Sequence, residues 1–309
     1  MITLKSYAKI NLGLEVVSKR ADGYHNLKTV FQTIDLFDTI EIKENPSGKL
    51  HLGGDDPAVA WDERNTIFRA VAAISRNYNL HQGFDIAVKK KIPAGSGLGG
   101  GSSNAAVILL FLNRYFKLDL PLETLIRLGT EIGADVPFFL VGGTVLGEGI
   151  GDRMTALPDL EEKRVDLVIP PINVPTGLIF SRFSLTSKPI KSKIDTFVCS
   201  KSLKILENNL EKITFELFPG VGMIKEKMQS LGYELVLMSG SGSAVFGLAG
   251  SMRPQRTFPA LSDDFPGFRI LMSKSVDRQN YLEGIGAWPS GKASVFGADM
   301  RRFESSRPS

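Results

Sequence analysis

A single cysteine, Cys199, and three histidines, His25, His51 and His81, are all that the 309 residues offer of the side chains that most often hold transition metals. One thiol excludes an internal disulfide and any cysteine-based zinc cluster, and it fits a reducing cytoplasm. No two histidines have metal-ligand spacing, and no Ser-His-Asp set follows from their positions. Long hydrophobic runs are absent as well: the longest, Ala105 to Leu112, falls well short of the ~20 residues a membrane-spanning helix needs. The opening residues to Lys9 carry lysines where a secretory leader needs an unbroken apolar stretch, so a cytoplasmic location without a membrane partner is expected. Charge of one sign is also scarce. Lys plus Arg number 37 against 33 Asp plus Glu, a net +4, and the one dense basic run, Lys89-Lys90-Lys91, is too short for a nucleic-acid face.

Glycine is abundant instead, with 31 residues, about 10% of the chain against an average near 7%. At roughly 100–200 residues per domain the length predicts two domains. From Ala8 to Val16 every second residue is apolar, the period of a half-buried strand, and Lys9, Asn11, Gly13 and Glu15 occupy its other face. Asp22 to Asn26 reads as a turn before strands near Thr29–Leu36 and Asp38–Lys43. Ile67, Val71, Ile74 and Tyr78 mark an amphipathic helix over Asn65 to Leu80, and Phe84, Ile86 and Val88 a strand that stops at Pro93. Helices are predicted over Ser102–Phe116, Pro121–Ile132 and Val221–Leu231, and strands over Glu234–Met238 and Ser243–Leu248. The proline and charges at Leu157–Glu162 mark a boundary between an N-terminal domain, 1–158, and a C-terminal domain, 159–283. Intermixed helices and strands give the class α+β. The segment 284–309 has no periodicity, is rich in Gly, Ser, Arg and Pro, and reads as a disordered or non-native tail.

Between Pro93 and Ala106, five glycines fall within seven residues, directly after a strand and before a helix. Glycines let backbone N–H groups close on a phosphate, Ser102 and Ser103 add hydroxyls, and the helix N-terminus adds partial positive charge. The letters Gly95 to Gly100 also fit a dinucleotide fingerprint. That reading needs an acidic residue at the end of a second strand, and Asp119 has no strand before it. A P-loop is excluded because no Gly-Lys-Ser/Thr follows. Phosphoryl transfer to an alcohol is helped by a carboxylate for the hydroxyl proton and a cation beside it, and Asp135 and Lys9 are the right types, although Asp135 before Pro137 is equally a helix cap. Ser239 to Ser243 is a second Gly/Ser loop, suited either to closing over phosphates or to a plain hairpin. Tyr24 and His25 sit in a turn near Lys9 and Asn11, a pairing that can hold a planar ring or serve as an ordinary surface turn.

The segments Ser6 to Leu14, Asp22 to Leu27, Pro93 to Ala106, Gly133 to Phe138 and Met238 to Phe246 occur in the order of the GHMP kinase superfamily, which the chain resembles from about residue 1 to 280. Within it, the N-terminal motifs are similar to the branch whose acceptor is a cytidine diphosphate-linked methylerythritol. The resemblance implies a two-domain α+β fold with the active site in the cleft between domains, and ATP-dependent phosphorylation of that acceptor's 2-hydroxyl in non-mevalonate isoprenoid synthesis. It implies Asp135 as the catalytic carboxylate and Lys9 as its cationic partner. Pro93, Ala94, Gly95, Ser96, Gly97, Leu98, Gly99, Gly100, Gly101, Ser102 and Ser103 would bind the ATP phosphates, with Asn65 near the adenosine. Asn11, Tyr24 and His25 would bind the acceptor, Tyr24 stacking on cytosine and His25 bonding its edge, with Phe180 on the ring's other side. Mg²⁺ is expected to arrive with ATP, with no protein ligand assigned, and the chain to be a monomer or homodimer without nucleic acid. Alternatives are a GHMP-type kinase for mevalonate, homoserine or a sugar, which have no ring for Tyr24 and His25, and a non-catalytic RNA-binding domain.

Overall fold

In the computed structural model, which describes residues 1–184, 192–250 and 257–286 (for 257–259 the backbone alone), the alternating stretch from Ala8 lies inside a much longer strand, β1 (Ile2–Lys19). It runs antiparallel to β2 (His25–Asn45), in which the two short strands expected at Thr29–Leu36 and Asp38–Lys43 are one. The turn between them is held by the Arg20–Asp22 ion pair at 2.7 Å and by Arg20 N donating to Tyr24 O at 2.8 Å. Register shifts at Tyr7/Ala8, Asn11/Gly13 and Val16/Ser18 bend and twist the ribbon, as bulges do.

The remaining elements of the first layer are β3 (Leu50–Gly54), α1 (Thr66–Tyr78), β4 (Gly83–Lys89), α2 (Gly100–Tyr115), α3 (Leu122–Ile132), α4 (Val136–Val141), β5 (Thr144–Gly149) and β6 (Arg153–Ala156). The sheet runs β3-β4-β2-β5-β6, with β1 also paired to β2. Helices cover it through a core that includes Ile40, Ile42, Phe84, Ile108, Leu112 and Phe138.

The second layer contains β7 (Arg164–Ile169), α5 (Thr176–Arg182), α6 (Lys193–Ser200), α7 (Glu211–Leu217), α8 (Pro219–Ser230), β8 (Leu235–Met238), β9 (Val245–Leu248), α9 (Thr257–Asp264) and β10 (Arg269–Lys274), after which the chain runs into α10 (Arg278–Ile285). Its sheet is ordered β10-β7-β9-β8, with every neighbouring pair antiparallel. Ala8, Ile10, Leu12, Val30 and Ile34 of the first sheet share a core with Val165, Leu167, Leu237 and Phe246 of the second. The expectation of an open polar face on β1 is therefore corrected: Lys9 is 3%, Asn11 2% and Glu15 8% exposed. The second layer buries the apolar side of the strand, and loops from both layers close over its polar side.

Helix α10 returns to the first layer. Tyr281 is fully buried, its ring 5.6 Å from that of Tyr7, and its hydroxyl donates to Phe139 O. A Cβ on Gly284 would fall 2.1 Å from the Tyr7 hydroxyl oxygen, so this glycine is a packing requirement. The segment set apart as a tail from residue 284 thus begins too early, because Gly284 and Ile285 close α10; residues 287–309 lie outside the described residues, as do 185–191 and 251–256.

Candidate active site

The loop between β4 and α2 turns on glycines in the left-handed region, Gly95, Gly97 and Gly99, with φ of 67°, 79° and 74°. A Cβ on Gly97 would lie 2.2 Å from Ser239 O, and one on Gly99 2.8 Å from the Phe139 ring, so both conformation and space demand glycine. The last turn of the loop leads directly into α2. Thr66 Oγ1 donates to Gly101 O at 2.6 Å, which ties the N-terminus of α1 to that of α2. Between them lies a cleft of about 450 Å³, lined by Pro93 to Gly97, Gly99 to Ser102, Asn65, Thr66, Arg64 and Lys90. Two helix N-termini and a run of loop amides make it a cradle for anionic groups. Three glycines here have no room or no conformation for a side chain, and that fits a phosphate chain in close backbone contact.

Two residues expected in that cradle face elsewhere. Leu98 is fully buried in the core shared by the two sheets, and its carbonyl accepts from Lys9 N at 3.0 Å. Ser103 is buried and accepts from Ser6 Oγ at 2.7 Å. Asn65 lines the cleft while capping α1: its Oδ1 accepts from Ile67 N at 3.0 Å and its Nδ2 donates to Ala60 O at 2.7 Å. Lys90, read only as part of a basic run, is turned inward onto the fully buried Asp38, which also accepts from the amides of Lys91 at 2.8 Å and Ile92 at 2.9 Å. The pair pins the strand end from which the glycine loop departs.

At the mouth of the loop Lys9 Nζ stands 3.5 Å from Asp135 Oδ2. Asp135 precedes α4 in the cap position, yet its side chain makes no capping hydrogen bond. The helix-cap reading is thereby displaced, and the carboxylate, 34% exposed, is turned to the ammonium. Lys9 Nζ also donates to Asn11 Oδ1 at 2.6 Å and lies 5.5 Å from the centre of the Phe31 ring. Asn11 Nδ2 donates to Thr29 Oγ1 at 2.8 Å, and Thr29 donates to Gly13 O at 2.7 Å. This chain fixes the orientation of the Asn11 amide and, through it, of the ammonium. Thr29 and Phe31 carried no sequence signal, because they belong to β2 and meet Lys9 only through strand register.

The second glycine loop joins the same centre. Ser239 Oγ donates to Gly97 O at 2.9 Å, Ala244 N donates to Ser96 O at 3.0 Å, and a Cβ on Gly240 would stand 3.5 Å from both Lys9 Nζ and Asn11 Oδ1. The hairpin reading of Ser239 to Ser243 holds, since β8 and β9 pair antiparallel across it with Ser239 N donating to Ala244 O at 2.9 Å, and the contacts above seat the hairpin against the first loop.

At the end of the β1–β2 ribbon, where Lys19 pairs with His25, the turn presents Tyr24 with 63% of its surface exposed. His25 is buried against Phe180, ring centres 5.5 Å apart at 30°, and meets the edge of Phe183 at 6.3 Å. Burial, and then the charge of Lys19, hold the His25 imidazole below its ordinary value, so the ring is neutral at neutral pH and has one donor and one acceptor nitrogen. Among the described residues no cluster of three His, Cys, Asp or Glu side chains could hold a metal ion, and no helix is long and apolar enough to cross a membrane.

Comparison with known proteins gives the family. The model of the GHMP kinases N terminal domain matches residues 65–143 and that of the GHMP kinases C terminal domain residues 200–267. The 4-diphosphocytidyl-2-C-methyl-D-erythritol kinase of Lachnospira eligens is 37% identical over 80% of this chain and 88% of its own length. The enzyme of the same name from Geobacter metallireducens is 39% identical over 82% and 92%. A crystal structure of 4-(cytidine 5'-diphospho)-2C-methyl-D-erythritol kinase superposes with a TM-score of 0.76 at 32% identity, covering 89% of this chain and 99% of that one. Homoserine kinase from Cytophaga hutchinsonii, covering 90% of this chain and 96% of its own, has a TM-score of 0.69 at 19% identity and shares the fold alone. The chain therefore belongs to the 4-diphosphocytidyl-2-C-methyl-D-erythritol kinases of the GHMP kinase superfamily.

Proposed function

We propose that the chain transfers the γ-phosphoryl group of ATP to the 2-hydroxyl of 4-diphosphocytidyl-2-C-methyl-D-erythritol, with Asp135 and Lys9 at the reacting centre. The observation that carries the assignment is the uncapped Asp135 carboxylate facing Lys9 at 3.5 Å beside the glycine loop. Asp135 accepts or orients the proton of the acceptor hydroxyl as that oxygen attacks phosphorus. Lys9, held by Asn11, keeps the carboxylate in place and offsets charge on the phosphoryl oxygens. The amides of Gly95 to Gly97 and of Gly99 to Ser102, with the α2 N-terminus, hold the phosphates, and Asn65 and Thr66 border the nucleoside end. No side chain of this protein is assigned to Mg²⁺, which would be carried in by the phosphates of ATP and would supply neutralisation of their charge. Tyr24 and Phe180 sandwich the cytosine while His25 bonds its edge, which matches a neutral imidazole in an aromatic niche. The reaction takes place in the cytoplasm.

The test is a coupled ADP-release assay with Mg-ATP and the cytidine-linked acceptor, on the chain and on Asp135→Asn. Turnover that requires the cytidine group and falls by about two orders of magnitude or more in the variant is the expected result. Equal turnover with a non-cytidine alcohol would overturn the acceptor assignment, and full activity of Asp135→Asn would remove that residue from the chemistry.

A further inference from the structure

The second glycine loop is held from behind by a set of side chains that touch none of the groups assigned above. Asn208, 4% exposed in the turn before α7, commits its whole amide to it. Nδ2 donates to Met238 O at 2.8 Å and to Gly240 O at 2.7 Å, while Oδ1 accepts from Leu210 N at 2.9 Å. Glu211, also buried, accepts from Met238 N at 2.8 Å and is paired with Lys225 at 2.5 Å. Thr214 Oγ1 donates to Ser241 O at 3.3 Å. The loop carbonyls are thus drawn toward α7, and among the described residues the Gly240 and Ser241 amides donate to no protein group. The opposite side of Gly240 faces Lys9 and Asn11, and Ser239 bridges to Gly97.

We propose that Asn208 is a positioning residue for the phosphoryl transfer: it fixes the distance between the second glycine loop and the Lys9–Asn11 pair and leaves that loop's amides open to an anionic group. The proposal rests on the kinase reading above. The two hydrogens of one amide bond the carbonyls of Met238 at the end of β8 and of Gly240 in the loop, so its loss loosens the loop tip while Glu211 still holds the strand end at Met238. Misplacement by about 1 Å costs up to ~100-fold in rate, and ATP, held by the first loop, is not directly affected.

The experiment compares Asn208→Ala and Asn208→Asp. Asn208→Ala is expected to lower kcat about 10- to 100-fold with the KM for ATP changed less than about threefold. Asn208→Asp keeps the volume and the bond from Leu210 N but sets an anionic oxygen against two carbonyl oxygens, so it should be at least as impaired. A residue that merely fills space would give the reverse order, with Asn208→Asp close to the parent, and that order would overturn the proposal. Amide hydrogen exchange supplies a readout without turnover. Faster exchange over 235–245 with unchanged exchange over 100–115 is expected in Asn208→Ala, and unchanged exchange over 235–245 refutes the role. Thr214→Val, removing only the longest bond, is the gentler second variant should Asn208→Ala fail to fold: a lower kcat at constant KM for ATP supports the proposal and parent kinetics count against it. Failure of the parent chain to use the cytidine-linked acceptor would instead overturn the function reading, and the exchange data would still decide the role of Asn208.

Discussion

The ammonium of Lys9 stands 3.5 Å from the carboxylate of Asp135, although the two lie on elements of different kind, a strand and the start of a short helix. Lys9 is almost wholly shielded from water, and Asp135 is about one-third exposed. The cation is therefore the fixed member of the pair and the carboxylate the one open to a bound hydroxyl.

Replacing Lys9 by Met removes the ammonium at nearly constant length. Turnover is expected to fall by about 10²–10³-fold, the range for loss of one preorganised charge-stabilising group. Stability should change little, because the loss of an interior charge is offset by the buried Asn11 Oδ1 left without its donor, while Asp135 retains solvent. Steady-state kinetics and thermal melting measured side by side check both halves; a melting temperature that falls with activity would recast Lys9 as structural.

Gly97→Ala introduces a Cβ 2.2 Å from Ser239 O at a residue with φ of 79°. A cost of about 1–3 kcal/mol is expected, read as a lower melting temperature. The variant should also lose at least about tenfold in ATP affinity by titration calorimetry, since the amides on both sides of it must move. Unchanged ATP affinity would mean that the loop does not hold the phosphates.

Tyr24 is 63% exposed, so Tyr24→Ala should leave the melting temperature essentially unchanged. Stacking on a base contributes about 1–3 kcal/mol. The acceptor KM should therefore rise about tenfold or more with kcat largely retained, the pattern of lost ground-state binding. A rise in the KM for ATP instead would move the aromatic contact to the other substrate.

His25 is held below the ordinary imidazole value, about 6.5, first by burial and then by Lys19. Because the folded state binds the proton less readily than the unfolded chain, the ring's contribution to stability is complete above about pH 6.5 and is lost as pH falls through the range beneath it. The acceptor KM should stay flat from about pH 7.5 to about 6.5 and climb below, as the acceptor nitrogen is protonated. An NMR titration that places His25 at or above the ordinary value would contradict this.

The two glycine loops, Lys9 and Asp135 were legible because short-range chemistry marks them: glycines where φ is positive, and an acid and a base of the right type beside them. Their convergence was not. Lys9 meets Asp135 through the packing of α4 on the sheet, and Val136–Val141 is buried at every position, so it has no amphipathic period to announce a helix. The alternation in β1 identified a strand but misjudged its polar side, since closure by the second layer depends on residues more than 190 positions away, as Asn209 bonding Val16 N illustrates. Lys90 looked like its neighbours in a basic run, and only the tertiary fold singles it out for Asp38. Asn208 sits in an unpatterned turn whose partners, Met238 and Gly240, no local rule connects to it.

The return of α10 has a consequence for biosynthesis. The first layer is completed by Tyr281 and Ile285, side chains that leave the ribosome after nearly everything else described. A nascent chain can pair β1 with β2 and lay α2 on the sheet, but the slot beside Tyr7 and Phe139 stays unfilled until α10 has been made. Order of synthesis and order of completion run in opposite directions, and a chain truncated before residue 278 would present that apolar slot to chaperones in place of its own helix.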